Sequence, residues 1–203
     1  MSDSAIREYV MAFLSLTKKV ASLFKIDTSK AIPHGMELPC MEDWIMDVIW
    51  NVKVEQQPGI LFYNKATGFV IPLNPDKYDL DYCLEVMQEQ LSRFLKEYGL
   101  EDKMMYFRDL FSVIHISRNN DKSAIAYMTQ SKNLINCWLD PDAEDRVDNS
   151  YDLLKRINND MRKVNGEYQQ IRMKEFLDEV KKIDKVYGII IKDLEDGNDD
   201  LIH

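Results

Sequence analysis

The chain has 203 residues, 45% of them hydrophobic, and a formal net charge of -9 from 35 acidic and 26 basic residues. That length and apolar content suffice for one domain with a sizeable core. The acidic balance repels phosphate backbones and disfavours direct nucleic-acid binding, and no apolar run reaches the length that spans a bilayer.

Cys40, Cys83 and Cys137 are odd in number and widely spaced, which makes neither a disulfide framework nor a zinc pattern. Free thiols in a reducing compartment follow. The first eight residues lack the basic start of a secretory signal. The expectation is a cytoplasmic protein without membrane contact.

Residues 9–16 form a short apolar run that fits a strand or a helix. The preferred reading is a strand ending near Ser15. A helix then follows, capped by Thr17, with Val20, Leu23 and Phe24 on its apolar face. One continuous helix from Ser4 to Phe24 fits almost as well. Residues 26–41 hold Pro33, Gly35 and Pro39 and read as a loop. Residues 42–54, with Trp44, Trp50 and several β-branched side chains, suggest a strand. Over 59–73 two β-rich runs flank Asn64, Lys65, Ala66, Thr67 and Gly68, which is a hairpin signature. Pro72 and Pro75 are expected to stop its second strand.

Residues 79–98 give the clearest helix, with Leu80, Cys83, Leu84, Met87, Leu91, Phe94, Leu95 and Tyr98 on one face and Gly99 as its stop. A shorter helix over 101–110 and a strand over 111–117 follow. Asp121 or Ser123 then caps a helix carrying Ile125, Met128, Ile135 and Trp138, interrupted by polar residues over 129–133. After an acidic loop over 140–145, Asn149 or Ser150 caps a helix with Leu153, Leu154, Ile157, Met161 and Val164, stopped by Asn165 and Gly166. The last amphipathic segment begins near Arg172 and carries Met173, Phe176, Leu177, Val180 and Ile183. Gly188 and the isoleucines at 189–191 leave helix and strand open over 186–192. Residues 193–203 read as a frayed acidic tail. The fold class is α+β over 1–203, a single domain with a small, mostly antiparallel sheet packed against four to six helices.

Chemistry-bearing residues are sparse. His115 alternates with Ile114 and Ile116 and reads as structural. His34 and Cys40 are six residues apart, which shows neither contact nor an orienting third group. No glycine-rich phosphate loop, zincin motif or nucleophile elbow occurs. No residue is assigned to catalysis, a cofactor or a metal. Asp140, Asp142, Glu144, Asp145 and Asp148 lack the glycine turn and ligand spacing of a calcium loop, so a charged loop is the plainer reading. Thr17, Lys18 and Lys19 at a helix start could meet an anion, against simple capping. Trp44, Trp50, Tyr106 and Phe107, with Asp140, Asp142, Glu144 and Asp145, are the candidate partner-binding residues, against a core role for the aromatics.

Several short elements resemble a family of bacterial and phage-associated domains of unknown function. They are Thr17, Lys18 and Lys19 after a strand, Asp43 with Trp44, Asn64 with Thr67, and Arg118, Asn119 and Asn120 with Ser123. Glu42 stands where that pattern has glycine. The resemblance covers about residues 11–183. It implies strand-then-helix order at the start of the chain and a phage or mobile-element origin, and it brings no activity.

Charge, missing catalytic motifs and aromatic content together point to a non-enzymatic interaction protein that modulates a host protein. A nucleic-acid-handling enzyme would suit the acidic surface. The alternative is a metal-assisted hydrolase whose carboxylates are scattered in sequence. A homodimer built on the last long helix is a third expectation.

Overall fold

A computed structural model describes residues 11–28, 41–49, 58–119, 121–140, 142–160, 162–164, 167–169 and 171–183. The first apolar run forms strand β1 (Ala12–Leu16), and the short helix α1 (Lys18–Leu23) follows it directly. The strand-then-helix reading therefore holds. Strand β2 (Asp43–Ile49) is buried at every position, as expected of a strand covered on both faces. The hairpin is present as β3 (Gly59–Asn64) and β4 (Val70–Leu73).

Helix α2 (Leu80–Glu97) starts where Asp79 Oδ1 accepts from Tyr82 N at 2.9 Å. It ends where Gly99, at φ +67°, passes its N–H to Lys96 O while Leu100 N reaches Leu95 O. That pair of bonds satisfies the last-turn carbonyls and requires a left-handed residue, which glycine adopts freely. A single 3-10 turn leads into α3 (Met104–Ser112), and strand β5 (Ile114–Arg118) follows. Phe111 belongs to α3, not to the expected strand, because from the helix its ring packs edge-on to Trp44. The polar stretch 129–133 does not interrupt α4 (Lys122–Trp138), whose start is capped by Asp121.

Asn149 caps α5 (Ser150–Asn159), which ends earlier than expected. Val164 lies in β6 (Arg162–Val164), which pairs with β7 (Glu167–Gln169). The Asn165-Gly166 dipeptide is as good a hairpin signal as a helix stop. Helix α6 (Ile171–Val180) closes the described chain apart from a short turn. The open choice over 186–192, the acidic tail, Trp50, His34 and Cys40 lie outside the described residues.

The five strands run in the order β4-β3-β2-β1-β5. β1 is parallel to β2 and to β5, whereas β2-β3 and β3-β4 are antiparallel. The expected mostly antiparallel sheet is thus a mixed one. The cause is topological: β1 reaches β2 through α1, and the chain reaches β5 through α2 and α3, and such crossovers give parallel neighbours. Pro72 lies inside β4, opposite Leu61, and does not end it. β4 is a sheet edge, where a missing N–H costs no ladder bond.

Side chains alternate between two buried layers. Leu14, Leu16, Trp44, Met46, Ile60, Phe62 and Ile71 pack with Phe94, Phe107 and Phe176 of α2, α3 and α6. Ile45, Ile49, Leu61, Tyr63 and Val70 pack with Met128 and Ile135 of α4 and Leu153 and Ile157 of α5. Among the described residues no helix is long and apolar enough to cross a membrane.

Candidate functional site

Open sheets with parallel strands tend to place ligands at the strands' carboxyl ends. At that edge Asp47 of β2 carries a polar cluster. Its Oδ1 accepts from Thr17 Oγ1 at 2.7 Å and from Val48 N at 2.8 Å, and its Oδ2 pairs with Lys132 Nζ at 2.5 Å. The Asp47 side chain is 5% exposed and that of Lys132 is 18% exposed. Nearby, Ser15 and Ser117 share a buried hydroxyl contact of 2.6 Å across β1 and β5. Both Asp47 oxygens are occupied, so the cluster acts as a pin between β2 and α4.

Thr17 takes the N-cap position of α1, but its hydroxyl donates to Asp47 and accepts from no amide of the helix. The capping role expected of it is replaced by this carboxylate bond. Lys18 and Lys19 are exposed at the start of a six-residue helix. The Asp47 carboxylate beside Thr17 is itself paired with Lys132.

Trp44 and Phe107 are fully buried, so the expectation that they form a partner surface is corrected to a core role. Trp44 Nε1 donates to Met41 O at 2.7 Å, and its ring stands edge-on to Phe111 and Phe176. Phe107 stacks with Phe176 at 6.2 Å. A residue rich in apolar area is drawn inside whenever a second layer can cover it. Tyr106 is half-buried against the same cluster.

Asp142, Glu144 and Asp145 are exposed and Asp140 is half-buried in the loop between α4 and α5. Asp145 pairs with Arg156, whose guanidinium lies 4.5 Å over the Trp138 ring. The loop carries Val147 into the layer under α4 and α5, whereas Trp44 and Phe107 lie in the other layer. Trp44 and Phe107 therefore do not meet the acidic loop.

Two reactive residue types have structural surroundings. His115 is half-buried with its ring 5.3 Å from Phe13. Cys83 is fully buried, and burial, followed by the nearby Asp79 charge, pushes its thiol up to about 11. Among the described residues no group of three or more His, Cys, Asp or Glu side chains could hold a metal ion.

An open groove of about 930 Å³ lies between α2 and α3. Leu84, Met104, Phe111 and Ile114 give it an apolar floor. Its rim is set by α2, with Asp81, Glu85 and Glu89 toward the start of the helix and Arg93 and Lys96 toward its end. Arg108 of α3 faces them. Arg93 is held in place by the Tyr151 ring, 3.7 Å away. Sequence reasoning missed this groove because a charged stripe on a helix looks like an ordinary solvated face, and its polarity also suits the macrodipole of α2.

The β3–β4 turn explains the Asn64 and Thr67 pair. Asn64 Oδ1 accepts from Thr67 N at 3.0 Å and from Thr67 Oγ1 at 2.8 Å, and Thr67 Oγ1 accepts from Phe69 N at 3.2 Å. Both residues are buried, and Gly68 at φ +70° completes the turn.

Residues 13–170 match the family described as a domain of unknown function, DUF6933. The chain belongs to that family. No curated protein and no solved structure matches it. The membership agrees with the resemblance carried by the short sequence elements. The DUF6933 match spans β2 to β5, the Asp47 cluster and both helices of the groove, and it stops just before α6. Within this DUF6933 domain the motif residues Thr17, Trp44, Asn64 and Thr67 serve a buried ion pair, the core and a turn.

Proposed function

We propose that the protein is a non-enzymatic, cytoplasmic binding module that docks a segment of another protein in the α2–α3 groove. The observation that carries this reading is the joining of an apolar floor to a rim of separated charge, on two helices that the core holds rigid. Apolar floors supply affinity, and rim charges supply orientation and encounter rate. The occupant that fits is an amphipathic segment with apolar side chains for Leu84 and Phe111 and basic residues for Asp81, Glu85 and Glu89. The net charge of -9 favours a partner with a basic surface, such as a host nucleic-acid-handling protein. The phage or mobile-element setting implied by the sequence resemblance belongs to the same reading.

The test is the double variant Glu85→Lys/Glu89→Lys, titrated against a partner isolated with the wild-type protein. The reading predicts weakening by about tenfold or more, largely through slower association at low salt. Unchanged affinity and unchanged salt dependence would remove the groove from the interface.

A further inference from the structure

Arg172, the second residue of α6, is 2% exposed. Its Nη2 donates to Ser131 Oγ of α4 at 2.8 Å. Nε and Nη1 are buried and have no hydrogen-bond acceptor among the described residues. A guanidinium does not shed its proton inside a protein, so the charge stays. A hydroxyl supplies a dipole and no counter-charge, and an uncompensated buried charge is costly.

The third wall of this enclosure is the β3–β4 turn. A Cβ at Gly68 would stand 3.6 Å from Arg172 Cγ and 3.9 Å from its Nε, with the Tyr63 hydroxyl at 3.8 Å. These are ordinary contact distances, so the arginine packs against the turn, whose φ of +70° at this position favours glycine. Helical side chains lean toward the amino end of their helix, which places the guanidinium near the positive pole of α6. Two positive features coincide, and two of the three guanidinium nitrogens lack acceptors among the described residues.

We propose that Arg172 is the receptor for a small oxyanion, of phosphate or carboxylate type, held between α6, α4 and the β3–β4 turn. The anion supplies the missing counter-charge and accepts from the unsatisfied nitrogens. Because the guanidinium is closed to solvent, entry requires the first turn of α6 to lift, and binding fixes that helix in place. None of these residues lines the α2–α3 groove, so this site stands or falls independently of the proposed docking.

The experiment is thermal unfolding of the wild type and Arg172→Met in phosphate, sulfate, acetate or chloride at matched ionic strength. The proposal predicts a saturable rise of several degrees in Tm for the wild type in one or more oxyanions over chloride. The order of phosphate and acetate tells which type the site prefers. Arg172→Met shows no such rise and is no less stable than the wild type in chloride. Equal responses in both proteins mean general salting effects and overturn the proposal, as does a wild type indifferent to every oxyanion. If Arg172→Met does not fold, phosphorus NMR of inorganic phosphate titrated with the wild type decides. Saturable line broadening supports the site, and its absence overturns it.

Discussion

Asn158 of α5 embraces the peptide of Val70 on the edge strand β4. Its Oδ1 accepts from Val70 N at 2.8 Å, and its Nδ2 donates to Val70 O at 2.7 Å and to Leu154 O at 2.8 Å. The side-chain amide thereby imitates one residue of a further strand. Together with Pro72, which has no N–H to offer, it closes an edge that would otherwise invite pairing with another chain.

Replacing Asn158 with leucine keeps the volume but strands the buried N–H and C=O of Val70. The expected loss is about 2 to 4 kcal/mol in urea unfolding, because unsatisfied buried groups lose their full desolvation cost. A loss below about 0.5 kcal/mol, the level of an ordinary surface substitution, would show that the contact is incidental.

The Asp47–Lys132 pair behaves differently according to which partner is removed. Lys132→Met leaves a buried carboxylate with only Thr17 and Val48 as donors, at an expected loss of about 3 to 5 kcal/mol. Adding Asp47→Asn retains an oxygen for both donors and removes the orphan charge. The double variant should therefore recover most of the stability. A double variant no better than Lys132→Met would contradict a pin based on charge.

How far these features could be read in advance depended on whether their cause is local. The hairpin at 59–73, the helix after Asp79 and the cap at Asp121 rest on neighbouring residues, and each appears where the pattern places it. The parallel pairing of β1 with β5 joins residues 102 apart, such as Ser15 and Ser117, and no local period encodes it. Trp44 and Phe107 carry the same residue types as a binding surface, and only the layer of Phe176 and its neighbours makes them core. Asn158 did leave a trace, an amide on the apolar stripe of Leu154 and Ile157, whereas Arg172 looked like the polar flank of a helix.

Asp121 ties stability to acid. The Ala124 N–H and then the Lys65 ammonium hold its carboxyl below the usual range. A carboxyl depressed in the folded state contributes stability above its unfolded pKa, about 3.9. That contribution is lost as pH falls through the folded value. Asp121→Asn keeps the cap and loses the charge, so it should be less stable by under about 1 kcal/mol at neutral pH, since the pair is partly screened. The gap between the two proteins should shrink as pH falls to about 3 and below. A gap that widens in acid would contradict the assignment.

The two described cysteines should differ sharply in reactivity. Cys137 is exposed, whereas Cys83 is buried with a thiol pushed up to about 11. In a Cys40→Ser background, a thiol reagent at neutral pH should label one site rapidly. The second site should follow only with unfolding, because the thiolate is the reactive form. Rapid labelling of Cys83 in the native protein would mean that α2 does not seal the core as described.

Photo-cross-linking from inside the groove decides whether a partner docks there. A cross-linker at Gln88 lines the α2–α3 groove, and one at the exposed Lys174 of α6 serves as the control. Docking in the groove predicts a partner captured from Gln88 and not from Lys174, with the cross-linked peptide apolar and flanked by basic residues. Equal capture from both positions, or a captured partner that binds Glu85→Lys/Glu89→Lys as tightly as wild type, would contradict it.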